Sequence, residues 1–400
     1  MRPGTLVGAA AAFALSLLLL SASSTASGLS ANVLSVPQDA PTIQAAVDGA
    51  TPGDLILVDR GAYPGGVVVP ASKPNITIRG VDRNAVVFDG ADTQDDAIDV
   101  HADGVTLQNL TAHNFLKNAF YWEGVKSFTG SFLTVWNVLG YGIYAEGSTD
   151  GLIEHDYVSG AADAAYYVGE CNPCRSTIRR VVARLSAVGY SGTNASGRLV
   201  IRDSTWDRNG TGILPNSLAN EADPPQSNAL IVHNTVIASG RARVPLNTPL
   251  AGYYGVGIGI AGGNSNQVLR NRVTGSRRFG VAVFQTPFWI PRGTPPPGPQ
   301  LPWRPAANSV QHNTIQRSGL ADLALSAASR AGNCFRGNRA AKTMPTRLQK
   351  RSCRSPGGDA RVSRALEAPF QTLMDRAFRA IRPIPYTSVP APPPQPNWPG

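Results

Sequence analysis

The chain has 400 residues and a net charge of +10 at pH 7, with 42% hydrophobic and 16% charged residues. The positive charge lies mostly after Ser276, whereas the preceding part of the chain is close to neutral. The body of the protein therefore lacks the overall basic character of a nucleic-acid-binding surface, and we expect no nucleic acid among its partners. The basic C-terminal third could instead touch an anionic cell-envelope surface or be a solvated segment.

Residues 1–28 have the layout of a secretory signal peptide. One arginine precedes an apolar run from Ala9 to Leu20, and small residues follow the run. This run is shorter than the roughly 20 apolar residues of a membrane span, and no later segment is apolar enough to cross a bilayer. We therefore expect cleavage near Ala26 or Gly28, no transmembrane segment, and a secreted or cell-surface protein.

Short strands at a regular spacing run through the middle of the chain. An apolar strand, then Asn or Asp, then a second apolar pair recur with a period of about 23 residues, which is typical of a solenoid. The polar residue falls at Asn109, Asp156, Asp203, Asn234, Asn271 and Asn313. A second set of strands has the same phase, in GYGIYA (140–145), AAYYVG (164–169), TGILP (211–215), GVGIGIA (255–261) and FGVAVF (279–284). Strands this short bury an apolar face only when they stack coil on coil.

This repeat resembles the right-handed parallel β-helix of the pectin-lyase-like superfamily over residues 33–340. The segment TIQAAVDGATPGDLILVDRGAY (42–63) is similar to the start of many such solenoids, in which a short helix covers the first coil. Asp39 or Thr42 is expected to cap this helix. The resemblance implies an all-β fold with an N-terminal helical cap. It does not imply one activity, because the fold carries lyases, hydrolases, esterases, epimerases and non-enzymes.

The stretch SGAADAAYYVGECNPC (159–174) also resembles a segment of exported bacterial β-helix proteins that have no established activity. This stretch contains two of the four cysteines of the chain, Cys171 and Cys174. The other two are Cys334 and Cys353. Outside the cytoplasm an even number of cysteines usually forms disulfides, and among three pairings proximity favours Cys171–Cys174 and Cys334–Cys353. A redox site would need a helix N-terminus and a zinc site about four ligands, so we expect neither.

Two other polar stretches have both a chemical and a structural interpretation. The segment DTQDDAIDVHAD (92–103) could bind Ca²⁺ through oxygen ligands, but it fits a solvated turn better, and no cofactor or metal is predicted. His155 and Asp156 could act as a base and its orienting carboxylate. The repeat favours a structural role, because His233 and His312 recur in the slot of His155 and asparagines recur in the slot of Asp156.

The second strand set offers a candidate carbohydrate site. Because alternate residues of a strand face opposite sides, Tyr144 and Tyr167 are expected to face outward, one coil apart, if the residues before them face the core. Glu146 and Asn216 follow on the same faces, two residues further along. Aromatic rings beside acids suit sugar rings, and the alternative is that the tyrosine stack only stabilises the strands.

Three long segments leave the repeat beside these strands, at 216–227, 241–254 and 285–307. Long loops of a compact solenoid are often functional. They could wall a groove, with Trp289 and Trp303 as sugar-stacking residues, or they could be Pro-rich surface decoration.

Asp163, Tyr167 and Glu170 lie at the N-terminal end of this groove and are the predicted catalytic residues. A lyase or epimerase acting on a uronic acid needs a cation for the substrate carboxylate, a role that Arg277 and Arg278 could take. A hydrolase needs two carboxylates, and Asp163 and Glu170 are a candidate pair. We therefore expect an exported monomer that recognises a polysaccharide or cell-wall glycan as a lyase, epimerase or hydrolase. The alternative from another class is a non-enzymatic cell-surface or adhesive solenoid.

The chain ends in a basic, Pro-rich C-terminal extension. Residues 341–382 are expected to hold a basic loop, closed by Cys334–Cys353, and a helix that caps the last coil or lies on a membrane surface. Residues 383–400 are predicted to be a Pro-rich, disordered tail.

Overall fold

Three long parallel sheets run side by side along residues 31–400, and successive coils of the chain add strands to each sheet in turn. The computed structural model describes residues 31–286, 302–368 and 370–400, together with Met1 and Gly4. Neighbouring strands pair in parallel. The predicted all-β parallel solenoid is therefore confirmed. Within these described ranges, no helix has the length and apolar character needed to cross a membrane.

The three sheets have 12, 10 and 11 strands and are called sheets 1, 2 and 3. Sheet 1 contains Val33–Val36, Leu55–Val58, Thr77–Gly80, Thr106–Gln108, Thr129–Ser131, Leu152–Glu154, Thr177–Arg179, Val200–Arg202, Leu230–Val232, Gln267–Leu269, Ser309–Gln311 and Cys334–Arg336. Sheet 2 contains Gly61–Tyr63, Val86–Asp89, Thr111–Phe115, Thr134–Val138, Tyr157–Ala161, Val182–Arg184, Thr205–Asp207, Thr235–Ile237, Arg272–Thr274 and Thr314–Gln316. Sheet 3 contains Val67–Val69, Asp96–Val100, Asn118–Glu123, Ile143–Glu146, Ala164–Gly169, Val188–Thr193, Thr211–Asn216, Val256–Ala261, Phe279–Phe284, Ala321–Leu325 and Thr343–Met344.

Alternate apolar residues of the strands fill the inside of the solenoid. In sheet 3 one inward row is formed by Ile143, Tyr166, Tyr190, Ile213 and Ile258, which pair in register and are fully buried. The Tyr166 hydroxyl donates a hydrogen bond to the Val182 carbonyl at 3.0 Å, so this large polar side chain is satisfied within the core. Tyr166 therefore faces inward, as the strand alternation predicts.

Buried side-chain ladders line the turn after sheet 1. Asn234, Asn271, Asn313 and Asn338 pass amide hydrogen bonds from coil to coil at 2.9–3.1 Å. Asp156 occupies the equivalent place in an earlier coil, where its Oδ1 accepts a hydrogen bond from the Leu133 amide at 2.7 Å. These contacts agree with the predicted structural role of Asp156.

The sequence assignment of this ladder is wrong by one position at Asn109 and Asp203. Both residues have positive φ angles, 60° and 54°, and lie in the slot of His155 and His233, at 60° and 56°. This left-handed turn position tolerates Asn, Asp and His better than most residues. The histidines are therefore turn residues, and His155 stacks on Phe132 with ring centroids 4.7 Å apart.

A short helix, α1 (Ile43–Gly49), covers the N-terminal end of the core. Thr42 caps it, because the Thr42 Oγ1 accepts a hydrogen bond from the Ala45 amide at 3.0 Å. Ile43 and Val47 are buried in the main core. The predicted N-terminal cap is thus present, and of the two expected capping residues it is Thr42 that bonds the helix.

Two helices, α2 (Ala360–Leu366) and α3 (Phe370–Ile381), follow the last coil. The sequence predicts a helix that caps the end of the last coil. In the structure, both helices instead pack along the side of sheet 3. Leu366 and Leu373 are buried with the outward residues Leu214 and Ala282. The physical reason is that these outward residues are apolar and need cover.

Short 3₁₀ helices occur at Pro249–Tyr253, Leu348–Lys350 and Tyr386–Ser388. The second of them lies in the basic loop and buries Leu348 in the main core at the C-terminal end. Both predicted disulfides are present: Cys334–Cys353 closes this loop, and Cys171–Cys174 closes a turn after sheet 3.

Residues 383–400, which the sequence predicts to be a disordered tail, lie against the solenoid in the structure. Gln395 and Asn84 exchange two hydrogen bonds, at 2.7 and 2.9 Å. The guanidinium of Arg79 lies over the indole of Trp398, 3.9 Å from its centroid. These contacts run between the end of the chain and its earliest coils.

Candidate functional site

The outer face of sheet 3 has an open part and a covered part. One outward row, in register across the coils, consists of Asp99, Tyr121, Tyr144, Tyr167, Ser191, Leu214, Gly259, Ala282 and Ala324. From Tyr167 onward the row is buried, in part under α2, α3 and the segment 241–254. Asp99, Tyr121 and Tyr144 remain partly exposed. The open part of the sheet therefore begins at its N-terminal strands and ends at Tyr167.

Four tyrosines form a stack at this boundary. The rings of Tyr141 and Tyr144 are parallel with centroids 4.3 Å apart, and Tyr121 stacks on Tyr144 at 4.7 Å. Tyr167 meets Tyr144 edge-on at 4.8 Å. Such offset and edge-to-face pairs hold aromatic rings in fixed orientations. Tyr144 and Tyr167 are neighbours one coil apart, as the sequence predicts.

Tyr167 lies in the outward row, as predicted, but it is covered there, because the residue is only 3% exposed. Its ring lies flat along its own strand, over Gly169. A Cβ placed on Gly169 would be 2.5 Å from the ring and the hydroxyl of Tyr167, so only glycine leaves room for this ring position. One coil earlier the equivalent residue is Glu146, and Tyr144 stays partly exposed.

Glu146 holds two of the phenols. Its Oε2 accepts hydrogen bonds from the hydroxyls of Tyr121 and Tyr144, each at 2.8 Å. Burial is the largest cause that raises the pKa of both phenols, and the hydrogen bonds to this carboxylate raise it further. Both tyrosines are therefore protonated donors that fix the carboxylate.

Glu170 connects the stack to the loop at 216–227. Its Oε1 accepts a hydrogen bond from the Tyr167 hydroxyl at 3.4 Å, and its Oε2 accepts one from the Ala222 amide at 3.3 Å. Burial raises the pKa of Glu170. Glu221, next to Ala222, is also close: burial first, and then the charge of Glu170, raises the pKa of Glu221 to about 7.

Asp163 lies at the start of the strand that carries Tyr167. Its Oδ1 is buried and has no hydrogen-bond partner. Burial raises the pKa of Asp163 to about 7, and the neighbouring Thr248 and Tyr141 hydroxyls counteract this only in part. The segment 241–254 is fixed here, because the Asn247 amide donates to the Ala162 carbonyl at 2.6 Å.

These residues form one constellation, called the tyrosine–acid cluster. Its members are Tyr121, Tyr141, Tyr144, Tyr167, Glu146, Asp163, Glu170 and Glu221. Sequence reasoning found five of the eight and missed Tyr121, Tyr141 and Glu221. Tyr121 was detectable by stepping back one repeat from Tyr144, whereas Glu221 lies in a loop that carries no repeat signal.

The other residues predicted to bind substrate lie elsewhere or are used internally. Asn216 is buried, and its Oδ1 accepts a hydrogen bond from Thr193 at 3.1 Å. Arg278 donates to the Gly252 carbonyl at 3.0 Å and to the Ala365 carbonyl, at the C-terminal ends of two helices. This is the usual place for a cation at a helix end. Arg277 lies beside it, exposed near the Tyr254 ring.

Arg277 and Arg278 are thus absent from the tyrosine–acid cluster, because the C-terminal helices occupy the part of sheet 3 beside them. Trp303 is partly buried against Gly262, beyond the strand Val256–Ala261, and is not in the cluster. Trp289 lies outside the described residues. The predicted groove with two tryptophans therefore stays a prediction for Trp289 and is not found for Trp303.

Among the described residues, the four carboxyls of the cluster have no cationic partner. Ion pairs elsewhere neutralise many acids of the solenoid, including Glu154 with Arg179 at 2.6 Å and Asp207 with Arg184 at 3.0 Å. In the part of the chain that the structure describes, no ion pair includes Glu146, Asp163, Glu170 or Glu221. The described part of the chain also contains no group of three or more His, Cys, Asp or Glu residues arranged to hold a metal ion.

Comparisons with known proteins agree with this architecture. A family model described as a right handed beta helix region matches residues 74–288. None of the curated proteins matches the sequence. Among solved structures, tailspike protein 3 of bacteriophage CBA120 is similar, with a TM-score of 0.51, 13% identity, and coverage of 74% of this chain and 44% of that chain.

The A-module of the mannuronan C-5 epimerase AlgE6 from Azotobacter vinelandii has a TM-score of 0.45 and 14% identity, covering 75% of this chain and 86% of that chain. An alginate lyase from Paenibacillus has a TM-score of 0.37 and 14% identity, covering 76% and 98%. At such identities, these similarities concern the fold alone.

Proposed function

The chain belongs to the family of right-handed β-helix proteins, and we propose that it binds a polysaccharide along the open part of sheet 3 and hydrolyses it at the tyrosine–acid cluster. The observation that carries this proposal is the convergence of four stacked tyrosines with four carboxyls. Two of these carboxyls, Asp163 and Glu221, have a pKa of about 7. A carboxylic acid that keeps its proton near neutral pH can serve as a general acid.

Each catalytic residue has a distinct proposed role. Asp163, with its buried and unpartnered Oδ1, is the general acid that protonates the leaving oxygen. Glu170 is the second carboxylate, acting as a base or a nucleophile. Tyr167 donates to Glu170 and positions it. Tyr144 and Tyr121 supply ring edges and hydroxyl groups along which a sugar chain lies.

Hydrolysis is favoured over β-elimination and epimerisation because of charge. Both of those reactions at a uronic acid need a cation to neutralise the substrate carboxylate. Arg277 and Arg278 were the sequence candidates; Arg278 lies at the helix ends described above, and Arg277 lies near the Tyr254 ring. Within the described ranges, no ion pair brings another cation to the cluster carboxyls.

We infer that the protein acts outside the cytoplasm. The support is the signal-peptide layout of residues 1–28 and the two disulfides, which persist in oxidising compartments. A cell-envelope or extracellular glycan is the substrate class that such a location offers.

An activity screen tests the proposal. The chain from residue 29 onward is incubated with neutral, amino-substituted and uronate polysaccharides, and new reducing ends are measured together with unsaturated products. New reducing ends without unsaturation are expected from wild type, and Asp163→Asn should lower the rate by about 100-fold or more, the usual effect of a general acid. Unsaturated products would instead identify a lyase.

Asp375→Asn, an exposed change on α3, is the control and should keep the wild-type rate. Full activity in Asp163→Asn would contradict the assigned role.

The second candidate is a non-enzymatic glycan-binding solenoid. It is favoured by one observation: Glu146 is engaged by two phenols, which is how a purely structural tyrosine stack would use it. Glycan binding without turnover, at equal affinity in wild type and Asp163→Asn, would select this candidate.

A further inference from the structure

We propose that a cleft between α3 and the 3₁₀ helix Pro249–Tyr253 binds an amphiphilic anion, which is a ligand with one carboxylate or phosphate group and a short apolar chain. The cleft has a volume of about 300 Å³. This volume lies at the small end of the range of ordinary ligand sites. None of its lining residues belongs to the tyrosine–acid cluster, so the inference does not depend on the proposed function.

Three arginines line the cleft. Arg277 and Arg278 directly precede the strand Phe279–Phe284 of sheet 3, and Arg376 belongs to α3. Arg278 is held in place, because its guanidinium donates to the Gly252 carbonyl at 3.0 Å. Arg277 and Arg376 are exposed, so the anionic group of a ligand can contact them. The planar guanidinium group suits both carboxylate and phosphate, because it can donate two parallel hydrogen bonds.

Acids do not offset the positive charge of this cleft. Within the described ranges, no ion pair includes any of the three arginines. Burial, and to a smaller extent the charge of Arg277, lowers the pKa of Arg278 to about 10. Glu367, which follows α2, accepts a hydrogen bond from the Gln285 amide at 2.9 Å instead. A partly closed cleft with several cations and no paired acid favours an anionic ligand.

Apolar residues of α3 form the other side of the cleft. They are Leu373, Ala377, Ala380 and Ile381, and Tyr254 lines the cleft with them. A simple inorganic anion would use only the arginines. An alkyl chain attached to the anionic group also removes apolar surface of the cleft from water, which stabilises the complex. The lining therefore fits an amphiphile better than a simple anion.

A membrane surface is another source of anionic groups. Arg379 of α3 and Arg382 after it are exposed and could contact one. A helix that lies on a membrane buries its apolar face in the lipid. The apolar face of α3 is already used, because Leu373, Ala377 and Ile381 are buried against the protein. We therefore favour a free ligand in the cleft.

Four small probes test the proposal by calorimetry. Octanoate and octyl phosphate have both the charge and the chain, 1-octanol has the chain alone, and acetate has the charge alone. All are used at concentrations at which they are monomeric. We expect at least one of the two charged octyl compounds to bind about tenfold more tightly than 1-octanol and acetate, which is the effect of a charged hydrogen bond.

The variant Arg277→Gln/Arg376→Gln removes two exposed charges of the cleft and should abolish this preference. Arg379→Gln is the matched control, because Arg379 is exposed on the same helix but does not line the cleft, and it should keep the preference. Ala380→Trp should weaken the binding of every octyl compound, because it fills the apolar side of the cleft.

Three results would overturn the proposal. The first is equal affinity for the charged octyl compounds and 1-octanol. The second is an unchanged preference in Arg277→Gln/Arg376→Gln. The third is binding to phosphatidylglycerol vesicles without binding of any monomeric octyl compound, which would identify a membrane-binding surface instead. The activity screen for the proposed function is independent of all three results.

Discussion

The Tyr144 hydroxyl donates a hydrogen bond to the Oε2 of Glu146, two residues later in the same strand, at 2.8 Å. Residues two apart face the same side of a strand, so the pair is built into one strand and needs no loop. Tyr121, one coil earlier, donates to the same oxygen. Glu146 thus joins two coils on the outer face of sheet 3.

Replacing Glu146 with Gln should weaken this contact between the two coils. The loss of two charge-assisted hydrogen bonds should lower the free energy of unfolding by about 1–2 kcal/mol. Without the negative charge, the pKa of Tyr121 and Tyr144 should move down toward its ordinary value, since the carboxylate is one of the causes that raise it. Alkaline titration of tyrosine absorbance measures this shift.

Glu123→Gln is the matched control for that titration. Glu123 pairs with Glu146 in register but is exposed and bonds to no phenol. Its replacement should change stability and the tyrosine titration less than that of Glu146. An equal effect of the two changes would show that the hydrogen bonds are not the cause.

Asp163 should make stability depend on pH. Its folded pKa of about 7 lies above the ordinary value of 3.8, so the folded state holds the proton more tightly than the unfolded chain. Stability should therefore fall as pH rises from about 4 to about 7. With a discount for the partly exposed side chain, the loss is about 2 kcal/mol.

The variant Asp163→Asn removes this titration. Its melting temperature should be flatter than that of wild type over the same pH range and higher at pH 8. Glu221, whose pKa is also about 7, leaves a smaller slope in the same direction, and Asp163→Asn/Glu221→Gln should remove most of it. Parallel melting curves for wild type and both variants would contradict the assignment.

The coil architecture was predictable because it repeats, whereas the chemistry of the site was not. Tyr144, Tyr167 and Glu170 follow from strand alternation and period, which fix register within a solenoid. The burial of Tyr167 depends on Gly169, and its significance appears only when the ring position is known. Glu221 lies in the cluster but belongs to a loop. Arg278 is held away from the cluster by contacts with helices far along the chain. Such long-range contacts leave no periodic trace.

The C-terminal segment should contribute measurably to stability. Asn397 accepts a hydrogen bond from the Arg83 amide at 2.6 Å, and the Arg83 guanidinium donates to the Pro396 carbonyl at 3.1 Å. Arg83 is 1% exposed, so removal of these partners leaves its buried guanidinium without one contact and its backbone amide without its acceptor. Deletion of residues 395–400 should lower the free energy of unfolding by about 2–3 kcal/mol.

Deletion of residues 399 and 400 alone is the control, because both residues are exposed. It should leave the denaturation midpoint unchanged. A midpoint that is also unchanged after deletion of 395–400 would show that the segment does not bind the solenoid in solution.

The asparagine ladder should be one of the buried features of the fold that are most sensitive to substitution. The Asn271 Oδ1 accepts hydrogen bonds from the Asn234 amide at 2.9 Å and side chain at 3.1 Å, and its own amide donates to Asn313 at 2.9 Å. Asn271→Ala should destabilise the protein by about 2–3 kcal/mol, because it leaves buried partners unsatisfied in two neighbouring coils. Asn220→Ala, at an exposed loop position, should change stability by less than about 0.5 kcal/mol. Chemical denaturation of the two variants measures the difference, and equal midpoints would mean that the ladder does not hold the coils together.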